Sequence, residues 1–398
     1  MSRLGIYVDA VFHVDSRGDE LRVLADPVDS AFLLFAAEVG TRFDRVVLFG
    51  RTRTGAAPRD SVPLAGVELA QLPYYSSLRD LSGIARVGGS TLRALSRELA
   101  DVDVVWVLGP HPYGFALIAL AMLRGKRVVL GVRQDTIGYY RNRLPSLRWR
   151  PVLGGVWTMD SVYRLLARRV KTTVVGRRLA RRYGGERGQV LSMNVSLVRA
   201  ADVVPSPADR DWNGTIQLLT VGRLEPEKNP LLLVEALALL EARSPGRYRL
   251  TWIGEGRLRD AVLRRAQGLG VDRSVELRGF VPHGPALFEL YRRAHAFVHV
   301  SLTEGVPQVL FEALASGTAV VATDVGDVRA TLDDGAGGLL VPPRSAEALA
   351  SAVERLTGDA ELRRRLVARG VELAARASLE EESARVARFI ANEADRGS

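Results

Sequence analysis

The chain contains no cysteine, which excludes disulfides, thiolate metal sites and a cysteine nucleophile, and fits a reducing cytoplasm. It also lacks a long apolar run. The longest, such as Phe115–Leu123, fall well short of the roughly 18 to 20 residues that a membrane span needs. The first residues enter a strand-like stretch, Arg3–Asp9, with no basic leader and apolar core, so a secretory signal is not expected. The expected setting is the cytoplasm, in solution or peripheral at the inner face of the membrane.

What is present is globular in composition: 398 residues, 47% apolar and 25% charged. That length is too great for one ordinary core and predicts two domains of roughly 200 residues each. The formal charge of +10 is unevenly spread. Residues 1–205 hold 30 Lys plus Arg against 18 Asp plus Glu, net +12, and the remainder holds 25 against 27, net −2. The basic excess therefore belongs to the first half.

Short apolar strands alternate with amphipathic helices, the pattern of parallel α/β units. In the first half the predicted strands are Leu4–Asp9, Arg45–Phe49, Val102–Leu108, Arg127–Val132 and Thr172–Val175, with helices over Ser30–Glu38, Ser90–Leu99 and Gly114–Leu123. The stretch Val203–Asp209 breaks the rhythm with Pro205 and Pro207 and reads as part of a linker. Beyond it the strands are Ile216–Val221, Tyr248–Ile253, Val275–Arg278, Ala296–Val300 and Ala319–Ala322. Their helices are Pro230–Ala242, Gly256–Gly268, Gly284–Arg293, Gln308–Ser316 and Ala346–Leu356. The predicted organisation is α/β, two Rossmann-like doubly wound domains facing a cleft: 1–200, a linker over 201–213, 214–375, and a closing helix within 376–398 that returns to the first domain. In such sheets ligands bind beyond the carboxyl ends of the strands, where the motifs below fall.

The first motif, Val221-Gly222-Arg223-Leu224-Glu225-Pro226-Glu227-Lys228-Asn229-Pro230, stands between a strand and a helix. A glycine admits a ligand close to the backbone, and Arg223 and Lys228 can both reach a diphosphate. Asn229 and Pro230 are helix-starting residues. The alternative is a cationic pair on a solvated loop.

The second motif runs from Ser301 through Thr303-Glu304-Gly305-Val306-Pro307-Gln308-Val309 and Phe311-Glu312-Ala313 to Asp324. A strand ends, a turn follows, and a helix starts near Gln308 with free N–H groups that favour phosphate. Glu304 and Glu312 can both address one ligand, and carboxylates accept well from vicinal sugar hydroxyls. The alternatives are a helix-capping role for Glu304 and a solvated helix face for Glu312, although an unpaired carboxylate in that apolar helix would be costly.

These residues together resemble the retaining glycosyltransferases of family four, with the GT-B fold: the two glutamates separated by seven residues, the Glu-Gly-x-Pro turn, the Val-Val-Ala-Thr-Asp-Val-Gly stretch, and the upstream Gly-Arg-Leu with Lys228. The resemblance covers residues 215–345 and reaches the first half only in its strand order. It implies that Arg223 and Lys228 bind the diphosphate of a nucleotide-sugar donor, with Gly222 close by. Glu312 would hold ribose hydroxyls and Glu304 those of the transferred sugar. Gly305, Val306 and Val309 would contact sugar or phosphate, and Gly254, Phe280 and Val281 would line the base pocket. Arg223, Lys228 and Glu304 would thus carry the chemistry, joined by His111, which stands at a strand end where such enzymes place a histidine against the sugar.

In the first half Gly18 is alone where the family has a glycine pair. Asp9 and Asp135 are candidates for acceptor binding, with turn-capping as the equal alternative. Tyr139–Arg182 is rich in arginine and carries Trp149 and Trp157, a composition suited to anionic lipid headgroups or to a plain solvated face. No nucleic-acid-binding module accompanies the charge. The expected activity is transfer of a sugar, with retention, from a nucleotide-diphosphate donor to a hydroxyl acceptor such as a glycan, a lipid-linked or polysaccharide chain, or a small glycoside. No Asp-x-Asp motif stands in a suitable loop, so no metal and no cofactor beyond the donor is expected. An inverting GT-B enzyme and a catalytically silent nucleotide-sugar-binding protein remain as alternatives.

Overall fold

The computed structural model describes residues 2–17, 20–25, 30–53, 61–76, 80–138, 150–184, 189–205 and 210–392. The chain divides into two compact units, Met1–Leu197 with Leu379–Ser398, and Val198–Ser378.

The first unit runs β1 (Arg3–Arg17), β2 (Glu20–Ala25), α1 (Ser30–Gly40), β3 (Arg45–Arg53), β4 (Val62–Leu64), β5 (Glu68–Leu72), α2 (Leu81–Glu98), β6 (Val104–Gly109), α3 (Pro112–Leu123), β7 (Arg127–Val132), α4 (Arg150–Leu166), β8 (Thr172–Val175), α5 (Arg177–Arg182) and β9 (Val190–Met193). The parallel pairs β5-β3-β1-β6-β7-β8-β9 form the sheet, and the second half of β1 turns into an antiparallel extension with β2 and β4. Its apolar residues alternate faces, as a strand period of two dictates. Leu4, Ile6, Val104 and Trp106 enter one core with α1, while Tyr7, Val105 and Val107 enter another with α2, α3, α4 and α5. Both faces are covered, which is why these strands read as continuous apolar runs.

The second unit runs β10 (Ile216–Val221), α6 (Pro230–Arg243), β11 (Tyr248–Ile253), α7 (Arg259–Gly268), β12 (Val275–Gly279), α8 (Pro285–Arg293), β13 (Ala296–His299), α9 (Gln308–Ala315), β14 (Ala319–Thr323), α10 (Val328–Thr331), β15 (Leu339–Val341), α11 (Ala346–Gly358) and α12 (Ala360–Arg376). Its six strands are all parallel in the order β12-β11-β10-β13-β14-β15. This is the dinucleotide-fold order, whose direction reverses between β10 and β13. The final helix, α13 (Leu379–Ala391), packs on α1 and buries Val386 and Ile390 in the core of the first unit.

Several expectations need correction. The segment 201–213 is not a free linker in its described residues: the Val204 N–H donates to Ala315 O, and Arg210 donates to Gly317 O and Arg292 O, all within the second unit. The strand predicted over Leu4–Asp9 continues to Arg17, and β2, β4, β5, β9 and helices α4, α5 and α12 carry no signal that the sequence reading recognised. Among the described residues no helix is long and apolar enough to cross a membrane.

Candidate active site

In the second unit, β10 and β13 lie side by side and end at the reversal of strand order. Two loops leave there, 222–229 and 300–307, and the Leu302 N–H donates to Glu227 O at 2.8 Å, joining them. Arg223, Lys228 and Glu304 sit on these two loops, because a switch point is where neighbouring strand ends diverge and leave a crevice, whereas Glu312 and His111 do not.

Glu304 is the centre. Its Oε1 lies 2.5 Å from Lys228 Nζ, 2.5 Å from Ser301 Oγ and 3.1 Å from His299 Nε2. The His299 ring, 3% exposed, meets that oxygen as a close polar contact. Burial by itself would raise the Glu304 pKa, but His299 and the Lys228 ammonium outweigh it and hold the carboxyl down to about 2. Glu304 is therefore ionised, and among the described residues its protein contacts all fall on one oxygen. It does not cap α9, whose N-cap is Pro307 with no side-chain hydrogen bond; the Leu310 N–H donates to Pro307 O, and among the described residues the Gln308 and Val309 amides have no side-chain cap. Gly326 (φ 59°) passes so close beneath that a Cβ there would run into the Glu304 carbonyl.

Glu312 is placed differently. It is 7% exposed in α9, and the Tyr291 hydroxyl donates to its Oε2 at 2.8 Å, with His283 Nε2 3.8 Å from Oε1. Burial pushes its pKa up, against the pull of Tyr291 and His283. The solvated-face alternative is thereby removed.

Arg223 is largely exposed and pairs with Glu227 at 2.9 Å. Asn229 and Pro230 start the following helix as expected, with Asn229 at the N-cap in a left-handed conformation (φ 50°) and without a side-chain cap hydrogen bond. The Gly222 carbonyl accepts from Trp252 Nε1 at 2.8 Å. Gly254 (φ 129°) packs against that carbonyl so tightly that no Cβ fits, and its N–H donates to Gly279 O at 2.7 Å. Phe280 follows, exposed, while Val281, Val306 and Val309 are partly buried against the Leu310–Phe311 core. Gly305 is exposed, and its carbonyl accepts from the Asp327 N–H at 3.2 Å.

His111 belongs to the other switch point, between β1 and β6 of the first unit. It is 3% exposed. Nδ1 accepts from the Tyr7 hydroxyl at 2.7 Å and the Tyr113 N–H at 3.3 Å, which leaves the proton on Nε2 in the neutral ring. Nε2 lies 3.0 Å from Tyr75 Oη and 3.3 Å from Asp9 Oδ2. Asp9 also accepts from Tyr75 and pairs with Arg51. Both nitrogens are thus taken up inside the unit, and burial lowers the His111 pKa. Asp135 behaves as a turn cap, accepting from the Gly138 N–H at 3.1 Å and pairing with Arg182. Gly18 and residues 139–149, with Trp149, lie outside the described residues. No group of three or more His, Asp or Glu side chains among the described residues could hold a metal ion.

The sequence reading missed His299, Ser301, Tyr291 and His283. His299 and Ser301 had a signal, since both stand at the strand end that delivers Glu304. Tyr291 and His283 had none, because they reach Glu312 only through packing.

A family profile described as glycosyl transferases group 1 matches residues 215–359, the stretch that holds both loops and Glu312. The match covers the second unit's strands β10 to β15 and does not reach the first unit. Over 163 residues the chain is 39% identical to a D-inositol 3-phosphate glycosyltransferase of Nocardia farcinica, covering 39% of this chain and 36% of that protein. It is 35% identical over 155 residues to a glycogen synthase of Mycobacterium tuberculosis, covering 39% and 37%. The chain thus spans under two fifths of the length of these two curated relatives. Across 99% of both chains it superposes on a glycosyltransferase of Rickettsia africae with a TM-score of 0.68 at 13% identity. Across 98% of this chain and 99% of the other it superposes on Anabaena HepE in complex with UDP and glucose, with a TM-score of 0.65 at 16% identity. These likenesses show the fold, GT-B, with two Rossmann-like α/β domains. The matched stretch carries the nucleotide-fold strand order and the Lys228–Glu304 pair.

Proposed function

We propose that this chain transfers a glycosyl group, with retention of configuration, from a nucleotide-diphosphate sugar to a hydroxyl acceptor. The observation that carries the reading is Glu304: a carboxylate kept ionised by His299 and Lys228, with Ser301 on the same oxygen and its other oxygen left to accept from sugar hydroxyls. Lys228 spends one of its three N–H donors on Glu304 and keeps two for a diphosphate. Arg223 and the amides at the start of α9 add positive potential, and Glu312 is given to the ribose hydroxyls.

In this reading the leaving diphosphate gathers negative charge as the glycosidic bond breaks, and fixed donors that meet that charge lower the barrier. The departing phosphate oxygen takes the proton of the acceptor hydroxyl on the same face, so no covalent glycosyl-enzyme is needed. The cations beside the diphosphate balance its charge, and the proposed reaction is metal-independent. The first relatives' names point toward phosphorylated polyols and glucans as acceptors, which makes a hydroxyl acceptor the class to try first.

The test is turnover of a panel of uridine, guanosine and adenosine diphosphate sugars by the full chain, in the presence and absence of EDTA, with the product anomer read by NMR. Consumption of one donor with retained configuration and no loss in EDTA is the expected result. An inverted anomer removes the retaining mechanism. Binding without turnover across acceptors leaves a nucleotide-sugar-binding protein instead.

A further inference from the structure

Of the nine exposed large apolar side chains among the described residues, six sit on three consecutive helices of the first unit: Leu92 on α2, Met122 and Leu123 on α3, and Trp157, Val162 and Leu165 on α4. The three helices cover the same face of the sheet, since Leu95, Leu117 and Tyr163 all enter one core. They are neighbours: α2 packs on α3, and Phe115 of α3 meets Tyr163 of α4 edge-on at 5.7 Å.

Topology brings the helix ends together. Each of these helices feeds a parallel strand, so each runs from the carboxyl ends of the strands back to their amino ends. Their last turns meet at the end of the sheet away from His111. There Leu123 is 85% exposed and Leu165 is 55% exposed, far from the usual fate of leucine.

The charge at these ends is mainly positive. Arg93 and Arg97 lie at the end of α2, Arg124 and Lys126 follow α3, and Arg168 and Arg169 follow α4. The acidic residues there, among those described, are Glu98, paired with Arg97, Asp101, which faces Arg45, and Asp103, which pairs with Arg3 and also feels Lys126. Arg124 donates to Ser96 Oγ at 2.5 Å, which fixes its guanidinium against α2 beside a groove lined by Leu92 and Leu120. The other unit exposes only Leu263 and Phe280 among its described large apolar side chains.

We propose that the ends of α2, α3 and α4 form a docking surface for an anionic lipid bilayer, with Leu123, Leu165 and Met122 entering the headgroup region and the six cations holding lipid phosphates. Leucines and arginines interleaved on one face are what interfacial binding requires, because apolar burial and electrostatic attraction each supply part of the affinity. A soluble polyanion would engage the arginines and leave the leucines in water. The surface is independent of the donor site, so failure of either reading leaves the other standing.

The test is co-sedimentation of the full chain with vesicles of phosphatidylcholine alone or of phosphatidylcholine mixed with phosphatidylglycerol. The expected result is binding to the anionic vesicles only, weakened by added salt as the headgroup attraction is screened. The pair Leu123→Ser with Leu165→Ser should reduce partitioning about tenfold or more, since both apolar side chains are lost from the interface. Both leucines are exposed, so an unchanged thermal transition shows that the variant is folded. Binding to neutral vesicles as strong as to anionic ones overturns the proposal, as does a double variant that binds as well as the parent. So does a parent that sediments as a dimer which the double variant dissolves, because the apolar face would then belong to a second copy.

Discussion

The two units present the same architectural position in opposite states. In each, the strand order reverses beside the first strand, and an acidic side chain meets a basic one at that point: Asp9 with Arg51 and His111 in the first unit, Glu304 with Lys228 and His299 in the second. The first cluster is closed, with both nitrogens of His111 engaged and two tyrosine hydroxyls filling the remaining positions. The second is half-open, since among the described residues one oxygen of Glu304 and the remaining protons of Lys228 have no such partner. A fold supplies the crevice, and the side chains decide whether it is filled from within or by a ligand.

The largest effect that sharpens this contrast is expected at Glu304. Glu304→Gln keeps the shape but removes the charge, and turnover of the best donor should fall roughly 10²- to 10³-fold, as when a transition-state contact is lost. Steady-state kinetics and a thermal scan on the same sample check that activity falls without unfolding. At the closed cluster the ranking should invert. His111→Ala strands Tyr7 and the Tyr113 N–H without an acceptor, a cost of about 1–3 kcal/mol for each buried group. Calorimetry should show the loss in stability, and titration with the nucleoside diphosphate should show unchanged affinity. If affinity collapses instead, the histidine touches the donor and the contrast fails.

A smaller effect belongs to Tyr291→Phe. It leaves Glu312 Oε2 without its donor, which costs about 1–3 kcal/mol of stability if the carboxylate stays buried. Nucleotide affinity should weaken while turnover at saturating donor changes little, which separates a ribose-positioning role from a chemical one.

The smallest effect is in pH. The Glu304 pKa lies below its ordinary 4.5, so its contribution to stability is complete above that value and is lost as pH falls toward about 2. His111 is depressed below its ordinary 6.5, so its contribution is complete above 6.5 and is lost as pH falls below it. Glu312 is raised, and its term works the other way, weakening the fold as pH climbs above 4.5. Hydrogen exchange at pH 7 and at mildly acidic pH should therefore show β1 and β6 losing protection while β10 and β13 keep theirs. Uniform loss across both sheets would contradict the difference between the clusters.

The second unit was far more legible in the sequence than the first. Strands β10 and β11 begin and end where the apolar runs do, because each strand is short, buried on both faces and bounded by glycine or proline. In the first unit β1 runs on past Asp9 into polar residues that pair with β2, and no apolar period marks that extension. The donor residues were readable because they fall in two contiguous motifs. His299 was passed over, although it stands two residues before Ser301 at the strand end that delivers Glu304. Nor could sequence tell that His111 would be saturated, because Tyr7, on β1, and Tyr75, in the loop after β5, lie 104 and 36 residues away.

The return of α13 to the first unit has a consequence for synthesis. The second unit is one continuous segment, complete once Ser378 has emerged, and it can close its core without waiting for anything else. The first unit cannot. Its earliest residues must wait for Leu379, Val386 and Ile390 to seal the face beneath α1, and Glu382 to receive the Asn194 N–H at 2.6 Å. The half of the protein made first is finished last, so a chain that stopped before Leu379 would carry a complete nucleotide fold and, in its first unit, an apolar face without the helix that seals it.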